Sequence, residues 1–275
     1  MQGPPNFLER QVELALQALL DSRFSAGAPI FYEIADEATT GADLTIAGAK
    51  PIFLQAKRSS WMVQEENLMQ SPQILLDRFA LQLSYTHSLF FDLHPKKPSQ
   101  EFSQNEILFL TNHTFAANSR IDCARYIAPL HVEVADYLSA VGATCRKLRA
   151  GVAPSTVADE HICFPPEFFV DGTGHSYSFT TEGTELAFHD PRVVDLVTPG
   201  FLEWISQHID PESWMTIDEI EGKFYRLAHR FDRDRKVGTA LRRSKSPIGA
   251  MAQYLRRNFD IVTVFIRGPK ETDRD

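Results

Sequence analysis

The chain has only three cysteines, Cys123, Cys145 and Cys163, spread over 275 residues with no CxxC pairing among them. An odd, scattered set of thiols excludes a disulfide framework and a zinc cage of the usual spacing, and points to reduced, buried side chains. Long apolar runs are missing too. Nothing approaches the roughly 20 residues that a membrane-spanning helix needs, and the opening MQGPPNFLER carries no basic flank followed by an apolar stretch. The expectation is a cytoplasmic protein with no membrane partner. There is no GxxxxGK[ST] and no GxGxxG, so no phosphate cradle of the nucleotide-binding kind is written in the sequence. His161, Cys163, His175 and His189 show no metal-ligand spacing.

What the sequence does have is a segment at residues 41–57, GADLTIAGAKPIFLQAK. Leu44-Thr45-Ile46 and Ile52-Phe53-Leu54 are short apolar runs with Gly48 and Pro51 between them, which predicts two adjacent strands. Side chains alternate along a strand, so Gln55 and Lys57 project to one face and Ala56 to the other, while the neighbouring strand delivers Asp43 beside them. A carboxylate, an amide oxygen and an ammonium then meet at one sheet edge. Such a trio suits phosphodiester hydrolysis with a hard divalent cation: Mg²⁺ takes oxygen ligands, here Asp43, the Gln55 side chain and the Ala56 carbonyl. Lys57 remains to orient the attacking water or to stabilise charge on the phosphoryl oxygens.

These residues resemble the PD-(D/E)XK nuclease superfamily, most closely its Mrr-like and Holliday-junction-resolvase-like branches, in which the ExK half-motif occurs as QxK. The stretch EATTGADL followed by FLQAKRS is also similar to a group of bacterial proteins with a GAD segment ahead of a QAK strand. The resemblance covers about the first third of the chain. It implies an α/β fold with a restriction-endonuclease-like αβββαβ core and a mixed sheet, a Mg²⁺ cofactor that Mn²⁺ can replace, DNA as the substrate, and a role in bacterial defence or restriction. A second copy of the chain or a defence-system protein is the further partner it suggests.

The element order within residues 1–94 is read accordingly. Phe7, Leu8, Val12, Leu14, Ala15, Leu16, Leu19 and Leu20 recur at helical spacing after Asn6, predicting the first helix. Residues 30–35 read as the first strand, 73–85 as the second helix and 87–93 as the closing strand. In the family a carboxylate on the first helix completes the metal site. Glu13 is the matching position, Glu9 lies one turn earlier, and Glu33 and Glu37 are rivals. Replacing the acidic ExK residue by Gln55 removes one negative ligand, so a non-catalytic nuclease-fold subunit that binds nucleic acid is the alternative, and an RNA-cleaving enzyme is a third reading.

The remainder divides into a mixed α/β extension at 95–198 and a basic, mainly helical region at 199–275. Residues 95–104 read as a linker, 106–110 (EILFL) as a strand, 121–141 as a mixture of strand-like and helical spacing, and 151–183 as loops with one or two short strands. Helices are predicted at 199–209, at 217–231 after a Thr216/Glu219 capping box, and at 247–258, with a strand at 261–266. This pattern fits either a winged-helix-like module or a small helical unit whose last strand returns to a sheet. Net charge is −8, yet Lys223 to Arg267 holds twelve Lys and Arg against three Asp, a local +9 that leaves −17 for the rest. A basic face on an acidic body attracts phosphate through its local field. Arg242, Arg243 and Lys245, together with Arg58 beside the motif, are the candidate nucleic-acid contacts.

Overall fold

Strand β2 (Ala49–Ala56) is buried along its whole length and organises the molecule. Ile52, Leu54 and Ala56 point to one apolar cluster, while Ala49 and Phe53 point to another on the opposite face. A strand buried on both sides reads as a near-continuous apolar run, as this one does. The computed structural model describes residues 8–24, 31–34, 48–61, 87–92, 102–116, 122–166, 176–183, 185–188, 193–195, 200–210, 214–231 and 236–267.

Five strands form the central mixed sheet, in the order β1 (Phe31–Ile34), β10 (Val262–Arg267), β2, β5 (Ala124–Pro129) and β6 (His161–Phe164). β2 and β5 run parallel, and the other neighbouring pairs are antiparallel. A parallel pair needs a crossover, supplied here by helix α2 (Gln104–Phe115). Helices α1 (Glu9–Phe24), α3 (Val134–Arg149) and α4 (Phe201–Ser206) cover the Leu54/Ala56 face. On the Phe53 face lie α2, α5 (Ile217–Phe231), α6 (Lys236–Arg243) and α7 (Pro247–Phe259). A second, antiparallel sheet runs β3 (Ser60–Trp61), β4 (His87–Asp92), β7 (Ser176–Thr180), β8 (Glu185–Phe188) and β9 (Val193–Asp195). Its Phe91 stacks on Phe164 of the central sheet at a centroid distance of 5.9 Å, and Tyr177 packs tilted against the same ring at 5.6 Å. Among the described residues no helix is long and apolar enough to cross a membrane.

Two sequence expectations are corrected here. Residues 106–110 are helical, not a strand. Ser103 Oγ accepts from Glu106 N at 3.1 Å and Glu106 Oε2 accepts from Ser103 N at 2.6 Å, a complete capping box that starts α2 just before the apolar run. The strand at 87–92 forms, but pairs antiparallel with β7 in the second sheet; the strand parallel to β2 is β5. The predicted helix at 73–85 and the strand at 44–46 lie outside the described residues.

The C-terminal elements follow the pattern read from sequence, with α6 as an addition. Thr216 and Glu219 close their capping box through Thr216 N to Glu219 Oε2 at 2.8 Å and Glu219 N to Thr216 Oγ1 at 3.3 Å. Helix α7 starts at Ser246, whose Oγ accepts from Gly249 N, and stops at Asp260, which takes a left-handed φ of 54°. The chain then re-enters the central sheet as β10, between β1 and β2. Divisions at 94 and 198 cut across this sheet, since β5 and β6 come from the middle portion and β10 from the last.

Candidate functional site

Lys57 follows the last residue of β2 and keeps the strand's course, with its backbone N donating to Ile127 O at 2.8 Å. Gln55 precedes it on the same face. The Gln55 side chain is 0 % exposed; its Nε2 donates to Phe259 O at the end of α7 at 3.0 Å, and its Oε1 is buried without a hydrogen-bond partner. An orphaned amide oxygen in a protein interior costs free energy and calls for an explanation, such as a ligand it is kept for.

The Lys57 side chain is 1 % exposed, and its ammonium meets groups from two other elements. Nζ donates to Gln104 Oε1, at the first residue of α2, at 3.2 Å. Glu9 Oε1, at the start of α1, lies 3.7 Å away. Gln104 Nε2 in turn donates to Asp260 Oδ2 at 3.0 Å, so the residue that ends α7 is tied into the same ring. Burial lowers the Lys57 pKa from its ordinary value, and the charges of Glu9 and Asp260 oppose that shift. A buried lysine with a lowered pKa, flanked by carboxylates at a strand end, marks a candidate functional group.

The structure separates the two carboxylates of α1. Glu9 faces Lys57, whereas both oxygens of Glu13 are held by the Arg256 guanidinium from α7, with Arg10 Nη1 adding a third contact at 3.1 Å. Glu13 is the expected ligand by position; in the fold it accepts from Arg256 and Arg10, and Glu9 is the α1 carboxylate beside Lys57. Glu33 sits on β1, with β10 between it and β2. Asp43 and Glu37 lie outside the described residues. The Ala56 side chain is buried in the α1-side cluster, opposite Gln55. Gln104 and Asp260 escaped the sequence reading, although the Ser103 capping box was a signal for the helix start that places Gln104.

Glu13 and Arg256 join α1 to α7, and this predicts a measurable stability effect. Glu13→Gln should lower the urea unfolding free energy by about 1–3 kcal/mol, the usual worth of charged hydrogen bonds in a partly buried setting. Unfolding at an unchanged midpoint would show that the tie contributes nothing.

Arg58, Arg242, Arg243 and Lys245 are exposed, the last three at the end of α6 and just beyond it, where Leu241 alone of that turn is buried. If these three contact phosphates, their triple replacement by alanine weakens duplex binding in metal-free buffer. The salt dependence then becomes shallower by roughly one log-log unit per lost contact. An unaltered affinity and slope would remove this face from any role with nucleic acid.

His161 and Cys163 serve β6. The Tyr137 hydroxyl contacts His161 Nε2 at 2.7 Å, and burial pushes the Cys163 thiol up to about 12. Among the described residues no three His, Cys, Asp or Glu side chains gather so as to hold a metal ion. The oxygens beside Lys57, from Glu9 and Gln104, are nevertheless hard donors of the kind Mg²⁺ takes, and Gln55 Oε1, two residues earlier on β2, is a further one with no hydrogen-bond partner. No protein-family model, no curated protein and no solved structure matches this chain.

Proposed function

We propose that the chain is a metal-dependent nuclease of the PD-(D/E)XK type, hydrolysing phosphodiester bonds in DNA. The observation that carries this reading is the pairing of a buried Lys57 ammonium beside Glu9 with the unpartnered Gln55 oxygen two residues earlier on the same face of β2. The parallel β2/β5 pair with its α2 crossover supports it, because the family's core also ends in helix then strand.

Gln55 Oε1 and the Glu9 carboxylate, with Asp43, would hold Mg²⁺. When bound, the ion supplies a Lewis acid and a water of lowered pKa. Lys57 Nζ presents a charge whose position is set by Gln104 and Glu9, so little reorganisation is needed as negative charge grows on the phosphoryl oxygens. Gln104 is a positioning residue: it links Lys57 to Asp260 and fixes where the ammonium stands. A cytoplasmic defence or restriction role belongs to the same proposal.

The second reading, a non-catalytic subunit that binds nucleic acid through a nuclease fold, is favoured by one observation: Glu13 is committed to Arg256 and Gln55 is neutral, which leaves fewer anionic donors. Incubating the pure protein with plasmid DNA, linear DNA and RNA, each in Mg²⁺, Mn²⁺ or EDTA, separates the two. Metal-dependent breakage of DNA is the expected result. Binding without breakage under every condition would favour the subunit.

A further inference from the structure

A pocket of about 240 Å³ opens beside the Lys57 end of β2. Leu54, Val262 and Val264 lie under it on the sheet, Leu16 and Leu20 of α1 form an aliphatic wall, and Gln17 and Gln253 add amide groups. It is larger than the roughly 150 Å³ apolar cavity that suffices for benzene, so a ring system fits. Three arginines, Arg10, Arg256 and Arg257, line it together with Glu13, which Arg256 and Arg10 hold, so that the described lining carries two positive charges in excess. Ala56, the neighbour of Lys57 in the chain, and Glu13, one turn along α1 from Glu9, both belong to the lining. The aliphatic slot with its cationic mouth thus lies on the α1 face of the sheet, across β2 from Gln55, and meets the Lys57 surroundings through Arg256, which feels the charges of Glu9 and Asp260.

We infer that this pocket receives one unstacked nucleobase of a single-stranded nucleic acid, while the arginine rim holds its flanking phosphates. The inference rests on the reading of the Lys57 region as a phosphodiester site and names the form of its substrate. A base enters a protein slot only after leaving its stack, which a duplex resists and a single strand does not. The aliphatic walls accept the flat face of any base, and the rim supplies charge without sequence information. Single strands, or frayed and branched ends, are then preferred over intact duplex.

The test is fluorescence anisotropy in EDTA, so that hydrolysis plays no part, with oligothymidylate, oligouridylate and a DNA duplex of equal length as probes. The wild-type chain is expected to bind a single strand at least about tenfold more tightly than the duplex, and the thymidylate and uridylate arms tell DNA from RNA as the source of the base. Leu14, 51 % exposed on α1 at the pocket's edge, offers a plug: Leu14→Trp places an indole there from a solvent-facing position. It should abolish the single-strand preference and leave duplex binding as it was. Arg257→Ala, also at an exposed position, should weaken single-strand binding and flatten its salt dependence by about one unit, which keeps the test decisive should the first variant fail to fold. Equal affinity for both forms, or a preference that survives Leu14→Trp, overturns the inference. Cleavage of intact duplex in Mg²⁺ with no single-strand preference would overturn the pocket and keep the nuclease. A preference abolished by Leu14→Trp in a protein that cleaves nothing would keep the pocket and overturn the nuclease.

Discussion

Lys57→Met should abolish cleavage, by at least about 10²-fold, while leaving the fold as stable as before or more so. The two halves of this result have separate causes. Catalysis loses the preset charge beside Gln55. Stability loses a cation that is 1 % exposed and held by one amide and one carboxylate at 3.7 Å; removing one partner of an ion pair is costly when the other stays buried, but Glu9 is 28 % exposed, so relief of the ammonium's desolvation offsets the lost attraction. Glu9 keeps its access to water. The pH dependence provides an internal control. Burial lowers the Lys57 pKa in the folded chain, so between that lowered value and 10.5 the unfolded chain holds more protons, and stability rises with pH through this window. In Lys57→Met the alkaline rise contributed by this group disappears. Lys57→Arg should also be inactive, since a planar guanidinium does not replace a compact ammonium in this space. A Lys57→Met protein that unfolds as wild type and still cleaves would remove Lys57 from the chemistry.

The second large effect lies away from the site. His208, just after α4, is 0 % exposed and sits edge-on to Trp204 at 5.0 Å; neither ring nitrogen makes a hydrogen bond of good geometry, and only the Asp122 backbone favours its protonated form. Burial, followed by the charges of Lys50 and Arg125, lowers its pKa from 6.5 to about 3. The unfolded chain therefore takes up a proton below 6.5 that the folded chain refuses until about 3. Stability is lost as pH falls through that window, by about 5 kcal/mol in all at 1.36 kcal/mol per unit, against a typical total of roughly 5–15. His208→Phe should flatten this acid limb and raise stability at pH 4 relative to wild type, as read by urea unfolding at pH 7, 5 and 4. Parallel pH profiles for the two proteins would show that His208 is not the group responsible.

The sequence was legible where the signal was local. Alternation along β2 places Gln55 and Lys57 on one face whatever the rest of the chain does, and the Thr216/Glu219 capping box starts its helix where expected, as does the helix expected from 247. α2 was obscured because EILFL is nearly all apolar, and an element buried on most sides carries no clear period. Its Ser103 to Glu106 box was the better guide. The choice between Glu9 and Glu13 was not legible, because it turns on Arg256, 243 residues further along the chain. The same holds for Asp260 and for the insertion of β10 between β1 and β2: such pairings are decided by tertiary packing, and no local pattern announces them.

The most direct measurement of the central claim is single-turnover cleavage of a labelled DNA across Mg²⁺ concentration, comparing wild type with Glu9→Gln, Glu13→Gln and Asp43→Ala. Wild-type cleavage should require Mg²⁺ and stop in EDTA, Asp43→Ala should abolish it, and Glu9→Gln should raise the Mg²⁺ requirement more than Glu13→Gln does. Cleavage that persists in EDTA, or that is untouched in Asp43→Ala, would contradict the claim.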